Sequence, residues 1–325
     1  MRLKNIILFL LGLGALVYIL ARMGVDIPEV IESVKSPRYV FLAILIYIAM
    51  PLLIALRLKF IIYPIEKKIL PVKDLLVIEY IYKFISNVMP FKLNLPAKAV
   101  ILNKKCGLKL SSGASAVSFE YALDAGITVC FGFLGVIAYF REDPRISLLS
   151  IKYFILMIFS GSIIFFSIPA YYFDKALSYS ESFNIKLVQK IAVFLVKMMT
   201  MVRASWAKIL LDRKMFAVLF ATILTWGASV LVNMLLFMST NNYVAPTWIL
   251  VVMSVGIFVG GVSTIPGGLG VREATMVMLY SALGVPAEVS VANVLIGRLI
   301  SLIPILIGYV VSIHAGAEML KERAV

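Results

Sequence analysis

The chain reads as an all-α integral membrane protein, with about six full spans plus two oppositely oriented re-entrant or broken-helix hairpins, arranged as inverted repeats. Three observations carry this. Hydrophobic residues make up 62% of the chain and charged ones only 15%, against roughly 25% charged in soluble domains, and the mean hydropathy is +1.01. Uncharged runs long enough to cross hydrocarbon recur along the sequence. Finally, residues 263–275, STIPGGLGVREAT, set glycines and an Arg-Glu pair inside apolar sequence. Irregular backbone at membrane depth survives only where protein buries it or where it lines a wet cavity, because bare N–H and C=O groups cannot face lipid.

Spans are expected over residues 5–21, 39–62, 112–140, 153–173, 215–239 and 287–314. The first begins after Arg2 and Lys4 and runs on without a small-residue cleavage pattern, so it reads as a retained helix rather than a removed signal. Residues 247–265 could cross, but they end in Pro266, Gly267, Gly268 and Gly270, and the apolar run that follows, 274–283, is too short to cross. That pattern describes a broken helix. Residues 75–89 are a second hairpin, required to enter and leave from the cytoplasmic side if the basic connections are all cytoplasmic. Residues 182–212 read as an amphipathic interfacial helix, since a short apolar stretch is flanked there by Lys186, Lys190, Arg203 and Lys208.

The net charge of +14 invites a nucleic-acid partner. The basic residues fall between hydrophobic spans, however, and not on one soluble face, so they read as orientation signals and no nucleic acid is expected. Dense Lys and Arg, including Arg57, Lys59, Lys67 and Lys68, place these connections and both termini in the cytoplasm of a multi-pass cell-membrane protein. Cys106 and Cys130 have no metal-ligand or CxxC spacing and read as free thiols. Residues 1–325 form one polytopic membrane domain, with no metal or cofactor expected.

Internal repetition appears when Pro90 is aligned with Pro266. Leu93 then falls on Leu269, Asn94 on Gly270, and a basic residue, Lys98 or Arg272, follows each break. A buried charge stands in the closing span of each half, Glu120 in the first and Arg298 in the second. The approximate repeats cover 1–140 and 150–320 and run in opposite directions, as in many secondary transporters.

Charges inside a span cost at least about 2.5 kcal/mol each at a helix centre and so call for a partner or a role. Glu120 and Asp124 lie one helical turn apart. Their placement opposite Arg298 in the repeat leads to the expectation that Glu120 and Arg298 meet across the halves, by an ion pair or through a bound head group. Arg272 and Glu273 open a short helix whose N–H groups favour anions; the Arg272 fork suits phosphate oxygens, and Glu273 suits a cap or an amine. Lys92 and Lys98 supply the matching charge near Pro90, although Lys98, Lys104 and Lys105 also read as snorkelling to the cytoplasmic surface. Glu79 and Lys83 are spaced as a helix pair. The translocation residues are thus Pro90, Lys92, Lys98, Glu120, Asp124, Pro266, Gly267, Gly268, Gly270, Arg272, Glu273 and Arg298, none of them catalytic, and the partners are membrane lipids with anionic head groups.

These motifs resemble a family, the transmembrane region of lysylphosphatidylglycerol synthases and related uncharacterised membrane proteins. IPGGLGVREA at 265–274 and ALGVPAEVSVANVLIGRL at 282–299 carry the resemblance best, and MPFKLNLPAKAVILNKKCGL before SFEYALD carries it more loosely. Asn94 stands where the family has glycine, and Lys98 and Tyr121 where it has arginine; these departures bear on the substrate. The family's membrane region is implicated in flipping lipids, while a separate soluble domain aminoacylates them. The resemblance therefore implies a flippase or transporter without the synthase domain. The alternatives are a membrane-embedded transferase, for which Asp26, Glu29 and Glu32 could bind metal, or an accessory subunit of a separate lipid-modifying enzyme. No Walker motif is present, so flipping would be equilibrative or ion-coupled, with Glu120 and Asp124 as proton carriers.

Overall fold

The computed structural model describes residues 32–88, 94–142, 201–202, 204–263 and 266–321. The expected spans at 5–21 and 153–173, residues 182–200, Pro90 and Lys92 lie outside them. All described elements are helical. In chain order they are α1 (Pro37–Glu66), α2 (Val72–Val88), α3 (Asn94–Cys106), α4 (Leu110–Glu142), α5 (Met215–Ser239), α6 (Pro246–Val262), a 3-10 turn (Pro266–Gly268), α7 (Val271–Ala282) and α8 (Ala287–Lys321).

The long helices form where charge is sparse, and α5 carries none between Met215 and Ser239. Pro37 starts α1 at a position whose N–H has no helical acceptor, so the ring removes no bond. Lys67 ends it in a left-handed conformation, φ +53, with its N–H donating to the Tyr63 carbonyl at 2.8 Å. The bounds of α5 match the expected span, and residues 287–314 make up most of α8. Among the described residues, Pro37–Glu66, Met215–Ser239 and Ala287–His314 are long and apolar enough to cross a membrane. At the start of α5 the Lys214 backbone N–H donates to Asp212 at 2.9 Å and holds that carboxyl below its ordinary range.

Two pairs of shorter helices fold back on themselves. Asn94 meets Tyr82 and Lys98 meets Glu79, so α2 and α3 run antiparallel. Gly260 lies against both Gly268 and Arg272, while Gly256 lies against Met276, which makes α6 and α7 a second antiparallel hairpin. At 1.5 Å per residue α2 and α6 each rise about 26 Å and α3 and α7 less, short of a hydrocarbon core about 30 Å thick. The turn of the second hairpin depends on glycine for two reasons. Gly268 has φ +64, and a Cβ there would stand 3.0 Å from the Gly260 Cα. Both the backbone conformation and the close approach exclude a side chain.

Three apolar clusters hold the elements together. One joins α1 to α4 around Leu58, Leu75, Leu102 and Ala116, with Ile209 packed in from residues 204–211. Trp206, in that same stretch, packs edge-on to Phe119 and donates its indole N–H to the Ser115 carbonyl at 3.2 Å. The second cluster joins α1, α5 and α8 around Ala43, Leu236 and Ile300. The third joins α5 to α8 around Phe237, Val252, Met276 and Tyr280.

Helix α8 also lies directly on the backbone of α2, where a Cβ on Gly308 would collide with the Tyr80 carbonyl. Gly308→Ala is therefore expected to cost about 1–3 kcal/mol through overpacking, seen as a lower thermal midpoint in detergent. An unchanged midpoint would show that the two helices separate freely.

Candidate functional site

Most of the charged residues that enter the helical core form one network around Arg57 and Lys98. Arg57 on α1 donates through Nη1 to Asp124 Oδ1 at 2.7 Å, and through Nη2 to Asp124 Oδ2 at 2.9 Å and to Glu120 Oε1 at 2.8 Å. Lys98 on α3 donates to Glu120 Oε2 at 2.6 Å and lies 2.8 Å from Glu79 Oε1 on α2. Its ammonium also sits 4.6 Å from the centre of the Tyr82 ring, and Trp226 on α5 donates to Asp124 at 3.3 Å. Arg57, Glu79, Lys98 and Glu120 are all buried. Four helices, α1 to α4, are thus tied together by groups that each have an opposite charge within hydrogen-bonding distance, the condition under which buried charge is tolerated, and the Trp226 indole adds α5.

This arrangement corrects three expectations. Glu120 and Arg298 do not pair: Glu120 is held by Arg57 and Lys98, whereas the carboxylate near Arg298 is Glu273, at 3.6 Å. Lys98 does not snorkel, because Glu79 and Glu120 take its ammonium inside the protein and its side chain is 1% exposed. Glu79 does not pair with Lys83, since α3 packed along α2 brings Lys98 closer to it than the next helical turn does. Arg57, read as an orientation signal, is the hub. Its signal was its place inside the apolar run 39–62, with Glu120 and Asp124 spaced to receive a bidentate guanidinium.

The second half of the motif residues gathers elsewhere, around a cavity of about 240 Å³ between the two hairpins, α1 and α8. Tyr47 comes from α1, Lys83, Ser86 and Asn87 from α2, Asn94 from α3, Gly260 and Gly261 from α6, Gly267 and Gly268 from the turn, Arg272 from α7, and Arg298, Ser301 and Ile305 from α8. Asn87 Oδ1 faces Arg298 Nη2 at 3.5 Å, and a Cβ on Gly267 would fall 2.7 Å from that same oxygen. Glu273 caps its own helix by accepting the Gly270 N–H at 2.7 Å. That bond and the approach to Arg298 fix it behind the cavity, in a small recess it shares with Arg272 and Arg298. Lys83 and Arg272 have no carboxylate partner among the described residues, in which the ion pairs run through Arg57, Lys67, Lys98 and Arg298.

One residue belongs to both sites. Asn94 lines the cavity while its amide donates to the Tyr82 hydroxyl at 3.0 Å, beside Lys98. Sequence reasoning missed Lys83 and Asn87 as lining groups. Both lie one or more turns before Pro90 on the first hairpin, and helical spacing from Glu79 through Lys83 to Asn87 was the available signal.

Apolar helices, three of them long enough to cross a membrane, together with two short hairpins define the class of a helical membrane protein. The chain belongs to the family described as the lysylphosphatidylglycerol synthase TM region, which matches residues 6–308. It is 26% identical to a UPF0104 membrane protein of Methanocaldococcus jannaschii, over 98% of this chain and 97% of that protein. It is also 31% identical to a UPF0104 membrane protein of Pyrococcus horikoshii, over 34% of this chain and 31% of the relative. No solved structure matches it.

Proposed function

We propose that the protein is a lipid flippase that moves a phosphate-bearing lipid between the leaflets of the cell membrane. The observation that carries this is the cavity between the hairpins, lined by Lys83, Arg272 and Arg298 with no carboxylate among its described lining residues. Cations gathered around a partly enclosed space favour an anionic ligand, and a planar guanidinium takes two phosphate oxygens at once. The position just before the first turn of α7 adds backbone N–H groups that favour negative charge. Membership of a family named for a lipid synthase supports a lipid as the carrier of that charge.

In this reading the two halves, 1–140 and 150–320, are inverted repeats with about six spans, and each contributes one hairpin to the head-group site. The lipid's head group enters the cavity while its tails stay in hydrocarbon, and rocking of the halves exposes the site to each leaflet in turn. The chain needs no synthase chemistry for this. The network of buried Arg57, Glu79, Lys98 and Glu120 with half-buried Asp124 holds the first hairpin rigid against α1 and α4, so that the cavity wall moves as a unit.

Reconstitution tests the activity. Purified protein in liposomes with a trace of tail-labelled phosphatidic acid should let an impermeant quencher reach the whole probe population, whereas empty liposomes lose only the outer-leaflet signal. Folded protein that leaves the inner population protected would refute transport and favour an accessory subunit. Orientation has its own test. Cys106 is buried and makes a poor probe, so a cysteine replacing exposed Lys104 should label from the cytoplasm and one replacing Asn242 only from outside. Labelling of both from one side would overturn the inverted arrangement.

A further inference from the structure

Charge and hydrogen-bond capacity in the cavity say more about the head group than that it carries phosphate, given the flippase reading on which this step rests. Three cations line the space. One carboxylate stands near them, Glu273, and it is shared between Arg298 at 3.6 Å and the Gly270 N–H at 2.7 Å. Three positive charges against one negative leave a surplus of positive charge around the space, which an anionic occupant neutralises.

Most neutral side-chain donors of the lining already have acceptors. Ser86 donates to the Lys83 carbonyl, Ser263 to the Gly260 carbonyl and Ser301 to the Arg298 carbonyl. The Asn87 amide also donates to the Lys83 carbonyl, and the Asn94 amide to Tyr82. What remains is chiefly the charged N–H groups of Lys83, Arg272 and Arg298, arranged around one space with the Tyr47 hydroxyl. These suit oxygens of high charge density and have nothing to offer an ammonium, for which the lining supplies no carboxylate.

We infer that the head group is a terminal phosphomonoester or diphosphate, bearing more than one negative charge and no amine. A phosphodiester such as phosphatidylglycerol brings a single negative charge and leaves part of the surplus standing. A phosphomonoester carries about 1.5 to 2 negative charges at neutral pH and matches it. A head group bearing an aminoacyl ammonium would add a fourth cation to the three present, and like charges at short range repel by several kcal/mol in a medium of low dielectric constant.

The test compares four tail-labelled lipids with the same acyl chains in wild-type proteoliposomes: phosphatidic acid, phosphatidylglycerol, phosphatidylethanolamine and lysylphosphatidylglycerol. Phosphatidic acid should flip fastest, by about tenfold over phosphatidylglycerol if the extra charge contributes about 1.4 kcal/mol, and Lys83→Gln should shrink that preference. Equal or faster flipping of either amine-bearing lipid would overturn the head-group assignment while leaving a flippase. Flipping of none of the four by folded protein would overturn the flippase reading, and the assignment with it. Radiolabelled inorganic phosphate outside the liposomes is the remaining arm. Its uptake without selective flipping of phosphatidic acid would give the site to a free anion and overturn the lipid assignment.

Discussion

Replacement of Arg57 by glutamine is expected to cost about 3–5 kcal/mol of folded stability, as when one partner of a buried ion pair is removed. The guanidinium serves two carboxylates, Glu120 and Asp124, with three hydrogen bonds between 2.7 and 2.9 Å. Without it Lys98 alone would face Glu79 and Glu120, and Asp124 would keep only the Trp226 indole. Folded proteins are stable by only about 5–15 kcal/mol, so the variant should purify poorly and melt far below the parent in detergent. Adding Asp124→Asn should recover part of the loss, because it removes one carboxylate left without a partner. Arg298→Gln should be much milder for stability, since its carboxylate contact is the longer one at 3.6 Å and Glu273 keeps its Gly270 cap. Equal melting losses for Arg57→Gln and Arg298→Gln would show that the network is not what holds the first hairpin.

Substitution of Arg272 should have the opposite signature, with transport lost and folding kept. No described residue forms an ion pair with it, and it lines the cavity from the first turn of α7. Arg272→Lys keeps the charge and removes the planar fork, so flipping should fall by about tenfold, the equivalent of one charge-assisted hydrogen bond of roughly 1.4 kcal/mol, with Arg272→Ala lower still. The thermal midpoint of each should stay near the parent's. Gly268→Val should lower both, since a branched side chain can neither hold φ +64 nor fit 3.0 Å from Gly260. Parental flipping rates in both Arg272 variants would reduce the PGGLGVRE segment to a packing turn.

Much of the helical architecture could be read from the chain because membrane spans announce themselves by the absence of charge. The bounds of α5 follow from an uninterrupted apolar run and those of α8 from one broken mainly by Arg298, and the glycine break marks the turn between α6 and α7. Pairing among buried charges was harder. Sequence order places Glu120 and Asp124 on one helix face but does not say which of several cations that face meets, and the apparent symmetry of the halves pointed to Arg298. The packing of α1 against α4 and of α3 against α2 decided for Arg57 and Lys98. For Lys98 a signal was present: Asn94, Lys98, Leu102 and Cys106 recur every four residues along one buried face of α3. A lysine on such a stripe is a core residue, whereas its neighbours Lys104 and Lys105 belong to the surface. The cavity itself was legible only in part, since Lys83 and Asn87 join Arg272 and Arg298 through a meeting of hairpins far apart in sequence.

A structure of the protein in nanodiscs made from its native lipids shows most directly whether the cavity between the hairpins holds a lipid phosphate. Density is expected for a compact tetrahedral group within hydrogen-bonding distance of Arg272 and Arg298, continuous with an acyl or prenyl tail that leaves toward the hydrocarbon. A cavity filled by a lipid tail, or closed by Lys83 and Arg298 turning to new carboxylate partners with no lipid in it, would rule out a head-group site there.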